Sequence, residues 1–139
     1  MLDLARAART EDGVDLHAMT HVTGGGLAAN LARVLPRGLE ALVHRGRWTP
    51  APVFGLVRRL GSVPVPDLER TLNLGVGMVA VVAPDSVDAA LARLRARSLD
   101  AWVLGEVRAA DTDDTSGDVV QGAKGVDGGA VRMLGTQPL

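Results

Sequence analysis

Residues 14–35 read "VDLHAMTHVTGGGLAANLARVL", and the apolar period changes across the glycines from two to three or four. Val14, Leu16, Ala18 and Thr20 share one face of an extended segment, with Met19 and His21 on the other. Beyond the glycines, Leu27, Leu31, Val34 and Leu35 form one helical stripe, which Pro36 and Gly38 end. A strand, a glycine turn and a helix in that order confine the chain to folds in which helices cover a sheet. Composition narrows this further. Phe54, Trp48 and Trp102 are the aromatic residues, so Val, Leu and Ala must build the core, which suits an α/β (α+β) fold better than an all-β sandwich. A chain of 139 residues predicts one domain with its own core.

The rest of the chain repeats this grammar. "LDLARAAR" predicts an opening helix stopped by Gly13, and "LEALVHRG" a second strand closed by Gly46. Thr49 and Pro50 predict the cap and first position of a helix whose buried face is Val53, Leu56, Val57 and Leu60, ended by Gly61. A short helix follows from about Pro66 to Leu72. "VGMVAVV" is apolar on both faces, which predicts a covered strand. Asp85 is the expected cap of "SVDAALARLRAR", with Val87, Ala90, Leu91 and Leu94 inward and Arg93, Arg95 and Arg97 outward. Trp102, Val103 and Val107 then begin a strand, completing a β-α-β unit from Val76 to Val107. Residues 109–129, rich in Asp, Thr and Gly, predict a flexible hairpin loop, and "AVRMLG" a final strand.

Several function classes are disfavoured at once. The net charge of −1 supplies no global field for nucleic acid or an anionic membrane. Without cysteine there is no disulfide, thiolate nucleophile or thiolate metal site. No apolar run approaches the ~20 residues of a membrane span, and the first residues lack the order of a secretion signal, so a cytoplasmic location is expected. His17, His21 and His44 lack metal-helix spacing, no metal site is expected, and Asp111, Asp113 and Asp114 read as solvated surface.

Two stretches remain as candidate sites. A glycine turn at a helix start can hold a phosphate with backbone N–H groups, and glycine lets the anion approach. "GGG" alone matches neither the dinucleotide fingerprint nor the P-loop, so on pattern a plain turn stands ahead of an anion site. "RTLNLGVGM", residues 70–78, gathers a guanidinium, a hydroxyl and a carboxamide just before a strand. By the same measure a helix end with Asn73 and Gly75 in turn conformations stands ahead of a ligand wall. His21 beside the glycines reads first as a hydrogen-bonded structural group.

Taken together, "HVTGGGLAANLARVLP", "WTPAPVF" and "ERTLNLGVGMVAVV" resemble, in order and spacing, the C-terminal domain of the phosphoribosylformylglycinamidine cyclo-ligase (aminoimidazole ribonucleotide synthetase) family, from about Val14 to Val107. The resemblance implies a two-layer mixed β-sheet packed with helices. It implies a ligase of purine biosynthesis: the formyl amide oxygen of the substrate is phosphorylated at the expense of ATP, the amidine nitrogen attacks that carbon, and ADP, phosphate and aminoimidazole ribonucleotide leave. It assigns Thr23, Gly24, Gly25 and Gly26 to the phosphate of the phosphorylated ribonucleotide substrate. His21 and Asn30 would face the cleft as catalytic or orienting groups, and Arg70, Thr71, Asn73, Gly75 and Gly77 would form the adjoining wall.

ATP and Mg2+ would be held mainly by an N-terminal domain that this stretch does not include, and that domain would also form a homodimer. The chain is therefore expected to be inactive alone. Ala29 stands where many relatives carry an acidic residue, Leu72 replaces the usual phenylalanine, and residues 112–118 look like an insertion. The other expectations kept are a non-catalytic binding or assembly module, or a domain of a related ATP-dependent enzyme of the selenophosphate synthetase or hydrogenase maturation type.

Overall fold

The computed structural model describes residues 1–8, 13–122 and 128–139. They form two compact units, Met1–Met19 with Ala80–Val103, and Thr20–Val79 with Leu104–Leu139. Strands β1 (Leu16–His21) and β3 (Met78–Val82) pair as a two-stranded sheet.

In the first unit, α1 (Leu2–Ala7) and α5 (Val87–Arg95) contribute Leu4 and Ala90 to a small core completed by Val14, with Leu16, Ala80 and Val82 packed against it. The Asp15 carbonyl accepts the Ala83 N–H at 2.9 Å, and the Asp15 N–H donates to Ser86 Oγ at 2.9 Å. That second bond explains one difference from expectation. Asp85 does not cap α5; it lies in a 3-10 turn, Pro84–Ser86, and Ser86 occupies the cap position with its hydroxyl committed to Asp15.

The second unit is built on a four-stranded sheet in the order β4-β2-β6-β5: β4 is Gly105–Ala109, β2 Leu39–His44, β6 Ala130–Leu134 and β5 Asp118–Gln121. β2 is nearly continuously apolar because it is interior, antiparallel to β4 (Glu40 opposite Arg108) and parallel to β6 (Leu42 opposite Arg132). α2 (Gly26–Ala32) packs on β5 and β6 and against α4 (Val65–Thr71), burying Leu27 and Leu31. Mixed sheets packed with helices, as anticipated, are the result.

Four expectations change. The β-α-β unit does not form, because β3 pairs with β1 whereas β4 pairs with β2 in the other sheet. Alternation marks which residues are extended but not which strand they will pair with. β3 is half-buried rather than covered on both faces. The 109–129 stretch contains β5, which pairs with β6 through Val120 opposite Val131; residues 123–127 of it lie outside the described residues.

The fourth change concerns α3 (Pro52–Gly61), which starts two residues later than expected. Pro52 takes a first-turn position, and the residue before it, Ala51, is extended at φ −58° and ψ 147°, as a residue preceding proline prefers. Its apolar stripe of Val53, Leu56, Val57 and Leu60 is not buried but is 42–80% exposed.

Candidate glycine-loop site

The glycine run joins β1 to α2, and its three residues have different reasons to be glycine. Gly25 caps α2 at φ 100°, and Gly26 follows at φ 72°, both in the left-handed region that side chains disfavour. A Cβ on Gly26 would also run into the carbonyl oxygen of Glu69 on α4, so the helices approach backbone to backbone there. Gly24 meets neither constraint: a Cβ there would enter open space. Its N–H and that of Gly25 donate to no acceptor among the described residues, and both residues are exposed.

Beneath the loop lies Asn30, 1% exposed. Its Nδ2 shares its hydrogens among the carbonyls of Gly26 at 2.6 Å and of Thr23 and Gly24 at 3.3 Å, and its Oδ1 accepts from Arg33. Thr20 Oγ1 donates to the Asn30 carbonyl at 2.9 Å. Asn30 was expected to face the cleft, yet its carboxamide is turned inward and spent on the loop's own carbonyls. The physical reason is that a loop with two left-handed residues leaves several carbonyls without helical partners, and a buried amide satisfies them.

His21 is exposed at the end of β1, beside Val22, whose N–H donates to the Gly77 carbonyl at 2.9 Å. That bond, with the Gly26–Glu69 approach, brings the second predicted stretch alongside the first. On it, exposed Arg70 pairs with Asp67, and Thr71 Oγ1 donates to the Asp67 carbonyl at 2.7 Å. Asn73 Oδ1 accepts the Gly75 N–H at 3.0 Å, the turn that asparagine was expected to make. Between them Leu74 holds φ 47°, an uncommon conformation for a bulky residue, with its side chain buried. Gly77 is exposed and has open space around its Cα. A depression of about 260 Å³ in this unit is lined by other residues, among them Leu39 and Gln121. The exposed residues of the paired loops form a shelf.

Two charged groups that pattern reading passed over are buried in this unit, and the first of them reaches Glu69 beside the shelf. Arg45, after β2, is buried and uses every guanidinium N–H: Nε and one Nη bond Glu69 at 2.6 and 2.9 Å, and the others reach Asp118 at 2.8 Å and the carbonyls of Met133 and Gly135 at 2.9 and 3.1 Å. Further along the sheet, Glu40 accepts from Arg108 at 2.9 Å, the Asp111 N–H at 3.3 Å and Arg132 at 3.1 Å. Burial pushes the Glu40 carboxyl up, but these bonds to Arg108, Asp111 and Arg132 outweigh it and hold the group below the usual carboxylate range. Arg132 also gathers the carbonyls of Asp114 and Ser116 at 2.7 and 2.8 Å. Asp114 is thus not solvated surface; it pairs with Arg108 at 2.7 Å, and its bonds to Ser116 and Arg108 hold it well below its ordinary value. The signal was present in "LEALV" and "AVRML", where one charge interrupts an apolar strand.

Residues 1–118 match the family model described as AIR synthase related protein, C-terminal domain. The chain belongs to this family. It is 59% identical over 106 residues to a Streptomyces fradiae protein whose phosphoribosylformylglycinamidine cyclo-ligase name is provisional, covering 76% of this chain and 57% of that one. It is 49% identical over 96 residues to the phosphoribosylformylglycinamidine cyclo-ligase of Anaeromyxobacter sp. (strain Fw109-5), and 47% over 97 residues to that of Symbiobacterium thermophilum. Those matches cover 69% and 70% of this chain and 28% of each relative, so the chain spans about a quarter to just over half the length of these relatives. The match to the AIR synthase related family ends where β5 begins, although β6 beyond it supplies an interior strand of the sheet.

No helix among the described residues is long and apolar enough to cross a membrane. Nor do the described residues hold three or more His or acidic side chains placed to bind a metal.

Proposed function

We propose that this chain is the substrate-side domain of an ATP-dependent cyclo-ligase that closes formylglycinamidine ribonucleotide to aminoimidazole ribonucleotide. The observation that carries the reading is the adjacency of two loops distant in sequence, through Val22 N–H to the Gly77 carbonyl and Gly26 against Glu69. In the proposed complex the free N–H groups of Gly24 and Gly25, with Thr23, hold the ribose phosphate at the positive end of α2. Arg70 exchanges Asp67 for the anion, a swap its exposure permits, and Thr71, Asn73, Gly75 and Gly77 complete the wall. His21 orients the formylglycinamidine portion, while Asn30 acts from below by fixing the loop carbonyls. ATP supplies the phosphoryl group that turns the formyl amide oxygen into a leaving group. This domain contributes position: the amidine nitrogen is held against the activated carbon, and orientation of that kind lowers the barrier of an intramolecular closure.

The nucleotide and its magnesium belong, on this reading, to a second domain, and the exposed apolar face of α3 is a surface suited to meeting it. Joined to a matching nucleotide-binding domain, the chain is expected to support ATP-dependent ring closure, and Gly25→Val to abolish it. Titration of the isolated chain with ribose 5-phosphate, followed through the Gly24 and Gly25 amide resonances, should show saturable shifts that Gly25→Val removes. Full ring closure by the Gly25→Val protein would sink the phosphate assignment.

A further inference from the structure

A segment that belongs to neither loop of the shelf contacts the second of them at two points, Glu69 and Leu74. Arg45 opens, and Trp48 follows, a 3-10 turn, Arg45–Arg47, that leaves the interior strand β2 directly. Arg45 clamps both carboxylate oxygens of Glu69, at 2.6 and 2.9 Å, and is itself anchored to the end of β6 through the Met133 and Gly135 carbonyls. Trp48 is buried, and its Nε1 donates to the Leu74 carbonyl at 3.0 Å. Glu69 and Leu74 bracket Arg70, Thr71 and Asn73, so this part of the wall is held at both ends by the segment that follows β2. The pinned residue Glu69 is also the one whose carbonyl meets the bare Gly26 backbone, and Leu74 is the one held at φ 47°. Neither contact touches the exposed faces of Gly24, Gly25 or Arg70.

We propose that Arg45 and Trp48 are positioning residues: together they set the gap between the glycine loop and the 70–77 wall, and with it the fit of a phosphorylated ligand. This rests on the phosphate-loop reading above. A bidentate guanidinium–carboxylate pair fixes direction as well as distance, which suits it to locating a helix end. The indole N–H occupies a buried carbonyl that would otherwise release the strained Leu74 to find another partner.

The test uses the 15N-labelled chain titrated with inorganic phosphate and with ribose 5-phosphate, with thermal melts to establish that each protein is folded at the assay temperature. Glu69→Gln retains the size of the side chain and loses half of the clamp, and Trp48→Phe retains the ring and loses the donor. Each is expected to raise the phosphate Kd on the order of tenfold, about 1.4 kcal/mol. Leu42→Ala, a cavity in the same sheet at a side chain that makes neither contact, should lower the melting temperature and leave Kd alone. If both brace variants bind phosphate as the parent does while Gly25→Val does not, the brace is wrong and the phosphate loop stands. If the parent itself shows no saturable shift, the phosphate reading fails. The unliganded spectra then decide the brace: displaced Gly24 to Leu27 amides in Glu69→Gln uphold it, and unchanged ones overturn it.

Discussion

Helix α3 and the Glu40 end of the four-stranded sheet invert the ordinary rule of burial within one structural unit. α3 turns Val53, Leu56, Val57 and Leu60 to solvent, and none of its residues is buried. The sheet buries Glu40 and Arg132, at 1% and 4% exposure. The difference teaches that hydropathy states what a residue favours, whereas burial depends on which partner arrives. The carboxylate and guanidiniums are tolerated inside because three strands and a loop deliver complementary groups to one place. The helix is left uncovered because no described segment of its own unit covers its stripe.

The largest expected effect comes from breaking the buried side of this contrast. Glu40→Ala removes the buried carboxylate between Arg132 and Arg108, with Asp114 as their remaining carboxylate, and is expected to cost about 3–5 kcal/mol in urea unfolding. A loss under about 1 kcal/mol would show that water reaches the cluster. The same group predicts acid sensitivity. Its carboxyl is held below the unfolded value of about 4.3, so its stabilisation is complete above that pH and disappears as pH falls through the lower folded value. Melting temperatures from pH 7 downward should show the acid limb flattened in Glu40→Gln.

Next in size is an ordinary apolar residue. Leu31→Ala on α2 should cost about 2–5 kcal/mol, because Leu31 is buried between helix and sheet. The glycines give a graded series. Gly26→Ala, which meets both a left-handed φ and the Glu69 carbonyl, should destabilise by more than about 1 kcal/mol, with Gly25→Ala near that figure. Gly24→Ala should change stability little, as nothing surrounds its Cα. Smallest of all, Leu60→Ser on α3 should stay within about 0.5 kcal/mol of the parent in urea unfolding. A cost like that of Leu31→Ala would show that α3 is covered in solution.

Much of the architecture was legible because it is local. The strand, glycine turn and helix at residues 16–32 follow from apolar spacing, and so do α4, α5, β2 and β6. Pairing was not legible, since the residues of β4 look equally able to join β3 or β2, and only the ladder from Leu39 opposite Ala109 to Val43 opposite Gly105 decides between them. In the candidate site, the glycines and the Asn73 turn were readable from residue chemistry. The inward turn of Asn30 was not, because which carbonyls need its amide depends on the loop's own conformation.

The sequence by itself determined that a strand must pass through bare glycines into a helix, that Leu, Val and Ala must fill the core, and that the chain resembles a cyclo-ligase domain. These follow from periodicity, composition and motif order, all carried by neighbouring residues. Only the tertiary structure decided that Arg45 would reach Glu69, that Glu40 would be neutralised by Arg108 and Arg132, and that α3 would face outward. Charges buried in an apolar sheet are stable only beside partners, and those partners lie 24 to 92 residues away in the chain.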